Sequence, residues 1–314
     1  RTKMPARHPR IGSATLVAVA GMLLFSDVAS AEPAYDAHRD QVFVERESGP
    51  LALDLYVPRG DGPFPAVIVV HGGAWASGTR AQLSGFAQAM ANMGYVAATI
   101  SYRLAPQHPF PAQVHDCQAA VRWLRSHAED FKIDPDHVGG FGYSAGGHLV
   151  ALLGAMDDDD FREEGVPADA PSARLKVVVA GGAPCDFRML ADDSQRLAYW
   201  LGGTPSEKPD AYRDASPAKY VSKDDAPMFF YHGTDDTVVP IHSPQRMVEL
   251  LKETGVPVEF FAVPEAGHAL AVRHPEAMRL AMEFAARYLK PTAESRGEDA
   301  PARKETEATA ADGQ

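Results

Sequence analysis

The stretch VGGFGYSAGGHLV, Val138 to Val150, sets one serine, Ser144, between Gly142 on one side and Gly146 and Gly147 on the other. Glycine costs backbone entropy wherever it sits, so three of them around one hydroxyl imply a place where side chains do not fit. The apolar run ahead of Gly142 reads as a strand, and the helix-forming run HLVALLGAM follows at once. Strand, tight turn and helix in that order is the setting in which a G-x-S-x-G pattern lifts a serine hydroxyl above the carboxyl edge of a sheet. Gly142 and Gly146 are expected to lack side chains because strand and helix approach too closely for a Cβ. The helix N-terminus behind the serine offers free N–H groups and the positive end of the helix dipole, which favours negative charge developing nearby.

Outward from this turn, apolar runs rich in β-branched residues alternate with segments of helical period, the signature of a mostly parallel sheet flanked by helices. Strands are expected near Val42 to Glu45, Leu51 to Tyr56, Ala66 to Val70, Tyr95 to Ser101, Val138 to Gly142, Lys176 to Gly181, Met228 to His232 and Val258 to Val263. LALDLYV alternates apolar and polar residues, as an antiparallel strand near a sheet edge does, whereas AVIVV and KVVVAGG are continuous and fit buried central strands. Helices are expected over Arg80 to Met93, Pro111 to Ala128, Ala145 to Met156, Ser243 to Thr254 and Pro275 to Leu289, the last two carrying proline in the first turn. Asp186 to Asp225 breaks the alternation with Pro, Gly, Asp and aromatic residues. It reads as a small cap, or substrate-binding insertion, after the sixth strand.

The two ends read differently from the middle. Residues 1–31 combine a basic start, an apolar stretch from Ala14 to Phe25 and Ala29-Ser30-Ala31, the pattern of a signal peptide and hence of a secreted or periplasmic protein. The stretch is shorter than the roughly 20 apolar residues a bilayer span needs. Residues 32–290 form the expected folded domain, and 291–314 lack apolar residues able to pack, so they are expected to be a disordered tail. The chain of 314 residues carries a formal charge of −12 at pH 7, which argues against nucleic acid or anionic membrane as a partner. The two cysteines, Cys117 and Cys185, exclude a disulfide scaffold and a cysteine-only zinc site, and are expected to be separate buried thiols. The run Asp157 to Asp160 is expected to be a solvated acidic loop rather than a cation site. No metal or organic cofactor is expected.

A serine hydroxyl is a weak nucleophile until a base takes its proton, and that base is expected to be a histidine held by a carboxylate. FFYHGTDDTVVP ends an apolar strand in Asp235 and Asp236, and VEFFAVPEAGHAL ends the next in His268. His148, in the helix after Ser144, has no evident role. VIVVHGGAWASG ends a central strand in His71-Gly72-Gly73-Ala74-Trp75, where two glycines let backbone N–H groups turn inward. The expected oxyanion donors are the main-chain N–H groups of Gly73, Ala74 and Ala145, with His71 bracing the loop. Trp75 either lines an acyl pocket or packs under the cap, and Tyr143 is expected at the substrate.

Taken together, HGGAW, SYRLAPQHPFPAQVHDCQAAVRWLR, DPDHVGGFGYSAGGHLVALL, YWLGGTP, ASPAKYVSKDDAPMFFYHGTDDTVVP and AGHAL resemble the α/β-hydrolase esterases. The resemblance covers roughly residues 40 to 290. It falls in the branch spanning hormone-sensitive-lipase-like carboxylesterases and the feruloyl- or acetyl-xylan-esterase-like (BD-FAE-like) proteins. It implies an α/β-hydrolase fold with a mostly parallel eight-stranded sheet flanked by helices. The family pattern His-Gly-x-x-Asp-x-x-Val-Pro falls on His232, Gly233, Asp236, Val239 and Pro240, which selects Asp236 over Asp235 as the acid of a Ser144–His268–Asp236 triad. Arg103 and Asp116 match family positions read as a structural ion pair or a hydrogen-bond anchor near the site rather than as catalytic groups.

HGGAW stands where lipase-like members carry a third glycine, and there is no long N-terminal cap, which moves the chain toward the feruloyl and acetyl-xylan group. The resemblance thus implies a secreted serine hydrolase acting through an acyl-enzyme on short-chain acyl or cell-wall-type esters, either small molecules or polysaccharide-linked. An arylformamidase or amidase would use the same triad. A non-catalytic binding protein on this fold is the reading from another class.

Overall fold

A computed structural model of the chain describes residues 33–290. The expected signal peptide and the expected tail lie outside the described residues. Among those residues are eight strands: β1 (Tyr35–Val44), β2 (Leu51–Pro58), β3 (Phe64–Val70), β4 (Val96–Ile100), β5 (Ile133–Tyr143), β6 (Val178–Gly181), β7 (Met228–Gly233) and β8 (Val258–Val263). They form one sheet in the order β1-β2-β4-β3-β5-β6-β7-β8. β2 pairs antiparallel with β1 and with β4; every other neighbouring pair is parallel. The longer helices are α1 (Ser84–Asn92), α2 (Ala112–Ser126) and α3 (Ala145–Ala155). The insertion contributes α4 (Ala198–Leu201) and α5 (Pro209–Asp214), and the chain closes with α6 (His242–Thr254), α7 (His268–Ala271) and α8 (Pro275–Leu289).

The continuous apolar strands are explained by cover on both faces. On β3, Ala66, Ile68 and Val70 join a core with residues of α2, α3 and α6, while Val67 and Val69 point the other way, into a second core with α1 and α8. Helices on both faces leave only the strand ends open. The carboxyl ends of β3, β5, β7 and β8 therefore converge where loops can meet, and each expected site residue follows one of them.

Some elements differ from the sequence-based expectation. β1 begins at Tyr35 rather than near Val42, because the first half of an edge strand has solvent on both faces and needs no apolar alternation. Its ladder with β2 shifts register between His38 and Gln41, where Asp40 takes a positive φ of 55°. The helix expected over Arg80 to Met93 is a 3₁₀ turn, Arg80–Leu83, followed by α1. Residues 186–225 fold as two short helices and a 3₁₀ turn, Pro217–Lys219, consistent with the missing long period. Cys117 and Cys185 are both buried free thiols. In the acidic run, Asp157 pairs with Arg174 and Asp158 accepts the Ala173 N–H at 2.6 Å. Among the described residues no group of three or more His, Cys, Asp or Glu side chains could hold a metal ion.

Backbone approaches backbone very closely under Ser144. A Cβ on Gly146 would stand 2.0 Å from the Val70 carbonyl oxygen, and one on Gly142 would stand 2.2 Å from the Gly146 carbonyl oxygen. Both obstacles are backbone, which cannot step aside as a side-chain tip can. Gly146→Ala is expected to destabilise the fold by at least about 3 kcal/mol in urea unfolding. Gly85→Ala, in α1 with nothing within 4 Å of the added carbon, is expected to stabilise it by about 0.5–1 kcal/mol. Equal effects at the two sites would contradict this packing.

Candidate active site

Ser144 is the residue between β5 and α3, and its backbone is strained, with φ 57° and ψ −122°. Its N–H donates to the Gly181 carbonyl at 2.8 Å and its carbonyl accepts the His148 N–H at 2.9 Å. Positive φ in a residue with a Cβ costs of order 1–3 kcal/mol and persists only where the surroundings leave no alternative. Among the described residues, seven non-glycine positions have positive φ; three of them, Ala74, Trp75 and Ser144, line one cavity.

The hydroxyl of Ser144 is 2.9 Å from His268 Nε2, and His268 Nδ1 is 2.6 Å from Asp236 Oδ2. With the Nδ1 proton donated to the carboxylate, Nε2 presents its lone pair to the serine. Asp236 is fully buried; its other oxygen, Oδ1, accepts the N–H groups of Val238 and Val239, each at 2.9 Å. Those bonds fix the carboxylate's orientation. Asp235 turns away instead, accepting from the Thr234 hydroxyl at 3.1 Å. His232 Nε2 lies 2.8 Å from the Val239 carbonyl and 3.2 Å from Asp236 Oδ2, and burial pushes its pKa down, so it stands beside the carboxylate as a neutral donor. His268 opens α7, a single helical turn that the sequence reading took for loop.

The loop after β3 carries the expected oxyanion donors. Gly73 has φ 116°, and a Cβ there would come within 2.1 Å of the Ser77 carbonyl oxygen; its own carbonyl accepts the Ala76 and Ser77 N–H groups. Ala74 and Ala145 line the cavity beside Ser144, whereas Gly73 is not part of its lining. As the first residue of α3, Ala145 has an N–H with no partner inside its helix. His71 stacks on Tyr102 at 4.2 Å, places Nδ1 2.7 Å from the Gly72 carbonyl, and is held neutral by burial. It therefore braces this loop.

The cavity itself measures about 240 Å³ and is walled mainly by apolar side chains. Trp75 does both things the sequence left open: it lines the cavity and stacks on Trp200 at 3.7 Å, buried under the insertion. Tyr199 faces the cavity and donates its hydroxyl to the Ala74 carbonyl at 2.7 Å, whereas Trp200 is core and donates to Gln113 at 2.9 Å. Tyr143, expected at the substrate, does not line the cavity. It points to the opposite face of the sheet, packs on Tyr231 and hydrogen-bonds the His268 carbonyl through its hydroxyl. The strict alternation of side chains along β5 sends it there and makes it a support for the histidine. Arg103 and Asp116 are indeed paired, at 2.9 Å, but in a buried cluster with Arg46 and Glu163 that does not line the cavity.

His148 is the residue that sequence reasoning passed over. It is fully buried, accepts the Trp75 indole N–H on Nδ1 at 3.2 Å and donates from Nε2 to the Ala215 carbonyl at 2.7 Å. One neutral ring thus ties the oxyanion loop, α3 and the insertion together. The only sequence signal for it is a histidine at an inward position of an otherwise apolar helix. Burial holds its pKa down to about 4, against 6.5 when exposed. Between those values the unfolded chain binds a proton that the folded one refuses, so this site's contribution is complete above pH 6.5 and lost as the pH falls toward 4, about 3 kcal/mol in all. In urea unfolding across that range, His148→Asn is expected to give a shallower fall in stability than the wild type. Parallel curves would contradict the assignment.

Residues 53–251 match the family model described as BD-FAE. The esterase LipC of Mycobacterium tuberculosis (strain ATCC 25618 / H37Rv) is 31% identical over 214 residues, 66% of this chain and 53% of LipC. The chain spans about half the length of the curated relatives it matches. Among solved structures, a truncated carbohydrate esterase from gut microbiota superposes with a TM-score of 0.74 at 26% identity, covering 83% of this chain and 99% of that one. A thermophilic esterase, Est2 of Thermogutta terrifontis, gives 0.69 at 25% identity over 83% of this chain and 95% of its own. That esterase has also been solved phosphoramylated by tabun. With its eight-stranded, mostly parallel sheet and its match over residues 53–251, the chain has the α/β-hydrolase fold and belongs to the BD-FAE family.

Proposed function

We propose that this chain is an exported serine carboxylic-ester hydrolase that works through an acyl-enzyme on short-chain esters. The observation that carries the reading is the unbroken hydrogen-bonded line from Asp236 through His268 to the Ser144 hydroxyl, opening into an apolar cavity. Its relatives support the reaction class, being named esterases. The cavity's size, about 240 Å³, supports short acyl groups, the acetyl class among them; a feruloyl group is a second fit for its aromatic wall. Export rests on the signal-peptide pattern of residues 1–31.

In this mechanism the Ser144 hydroxyl attacks the ester carbonyl carbon as its proton passes to His268 Nε2, and the carbonyl electron pair moves onto oxygen. The N–H groups of Gly73, Ala74 and Ala145 hold that oxyanion. Asp236 keeps the Nδ1 proton in place and balances the imidazolium. The carbonyl re-forms, the bond to the alcohol oxygen breaks, and that oxygen takes the proton from Nε2. Water then attacks the acyl-serine, giving its proton to the same nitrogen; collapse frees the acid and returns the proton to Ser144.

The test is kinetic. On p-nitrophenyl acetate and butyrate, Ser144→Ala is expected to lower kcat at least about 10³-fold and Asp236→Asn about 10³- to 10⁴-fold, with unfolding curves close to the wild type. Wild-type rates in the Ser144→Ala protein would overturn the proposal.

A further inference from the structure

Four described arginines, Arg122, Arg125, Arg196 and Arg273, make no ion pair, and of these only Arg196 lines the cavity that holds Ser144. Arg46, Arg80, Arg103, Arg213 and Arg279 each pair with carboxylates, and Arg125 is taken up by three backbone carbonyls. Arg196 is exposed and lines the same cavity as Ser144, and its guanidinium makes one hydrogen bond among the described residues, from Nη2 to the Val238 carbonyl at 3.0 Å. No carboxylate of those residues lies within 4.0 Å of its guanidinium. Four of its five N–H donors are therefore left facing solvent and the cavity mouth.

The charges around it do not cancel it. The one acid in the cavity wall, Asp186, has both oxygens occupied by Arg188, at 2.8 and 2.6 Å. The other ionisable wall residues, His242 and Tyr199, carry no carboxylate. The remaining wall, with Phe187, Leu190, Leu197 and Val239, adds no further acid. The Val238 carbonyl tethers Arg196 to the same short loop whose N–H groups hold Asp236, so the guanidinium is kept in register with the catalytic line.

A tethered, unpaired guanidinium at the rim of an apolar pocket matches one ligand chemistry best, since its planar fork binds a carboxylate through two parallel hydrogen bonds. We propose that Arg196 is a specificity residue that binds a carboxylate carried by the ester substrate while the ester carbonyl sits at Ser144. The inference rests on the ester-hydrolase reading and narrows it to anionic esters. The carboxylate has two sources: the acyl part, as in a half-ester of a dicarboxylic acid, or the alcohol part, as in an esterified hydroxy acid.

Two matched pairs separate these sources. On the acyl side, kcat/KM is measured for mono-p-nitrophenyl adipate against p-nitrophenyl hexanoate; on the alcohol side, for 3-carboxyphenyl butyrate against phenyl butyrate. Each is run with the wild type, Arg196→Gln and Arg196→Lys. In one pair the anionic-to-neutral ratio is expected to fall about fivefold to tenfold in Arg196→Gln and to be partly restored in Arg196→Lys. The wild-type ratio in that pair is also expected to shrink as salt is raised, a readout that needs no variant. Ratios unchanged by Arg196→Gln and by salt in both pairs, with the neutral esters still turned over, would overturn the assignment. Failure of the wild type on every ester of both pairs, anionic and neutral, would instead overturn the hydrolase reading, and this inference with it.

Discussion

The site depends on one close approach of backbone to backbone, that of α3 to the ends of β3 and β5. α3 starts so near the ends of β3 and β5 that Gly146 has no room for a Cβ against Val70, nor Gly142 against Gly146. That contact forces the chain to turn at Ser144 in a conformation an ordinary residue avoids, and the turn alone decides where the hydroxyl points. The same approach brings the first N–H of α3 beside the loop after β3, so the Ser144 hydroxyl and the proposed oxyanion donors are placed by one packing event. His268 and Asp236 then arrive from the ends of β8 and β7, the two parallel strands beyond β6 on that side of the sheet.

The histidines around this turn divide by their surroundings. His71, His148 and His232 are buried, and burial holds each below the usual imidazole range, so each serves as a fixed neutral donor or acceptor. His268 alone among the four is partly exposed, reaches the Ser144 hydroxyl and has a carboxylate on Nδ1. A charge that appears during reaction is thereby confined to one ring. The neutral rings hold the loops whose movement would blur the geometry, and Tyr143 does the same from the far side of the sheet.

How much of this could be read from residues alone follows from the range of the interactions. The turn at Ser144 was legible because its cause is local: strand, glycines and helix adjoin in sequence. Asp236 and His268 were legible because each ends a recognisable strand, although choosing Asp236 over Asp235 needed the family pattern. The structure gives the physical ground for that choice, since only Asp236 is caught by the Val238 and Val239 N–H groups. His148 was not legible, because its partners, Trp75 and Ala215, lie 73 and 67 residues away and nothing near it signals them. Tyr143 was misplaced because adjacency to the nucleophile was weighed above the alternation of β5. Arg46 and Glu163, which complete the cluster of Arg103 and Asp116, come from an edge-strand turn and an acidic loop that read as solvent-facing.

The central claim is that the Ser144 hydroxyl is the activated nucleophile of an otherwise ordinary set of serines. Treatment with diisopropyl fluorophosphate followed by mass spectrometry of the intact chain and of its peptides tests it without choosing a substrate. The account predicts one phosphoryl group per chain, carried by the peptide containing Ser144, and none after the protein is unfolded beforehand. An unlabelled native protein, or an adduct on a different serine, would contradict it.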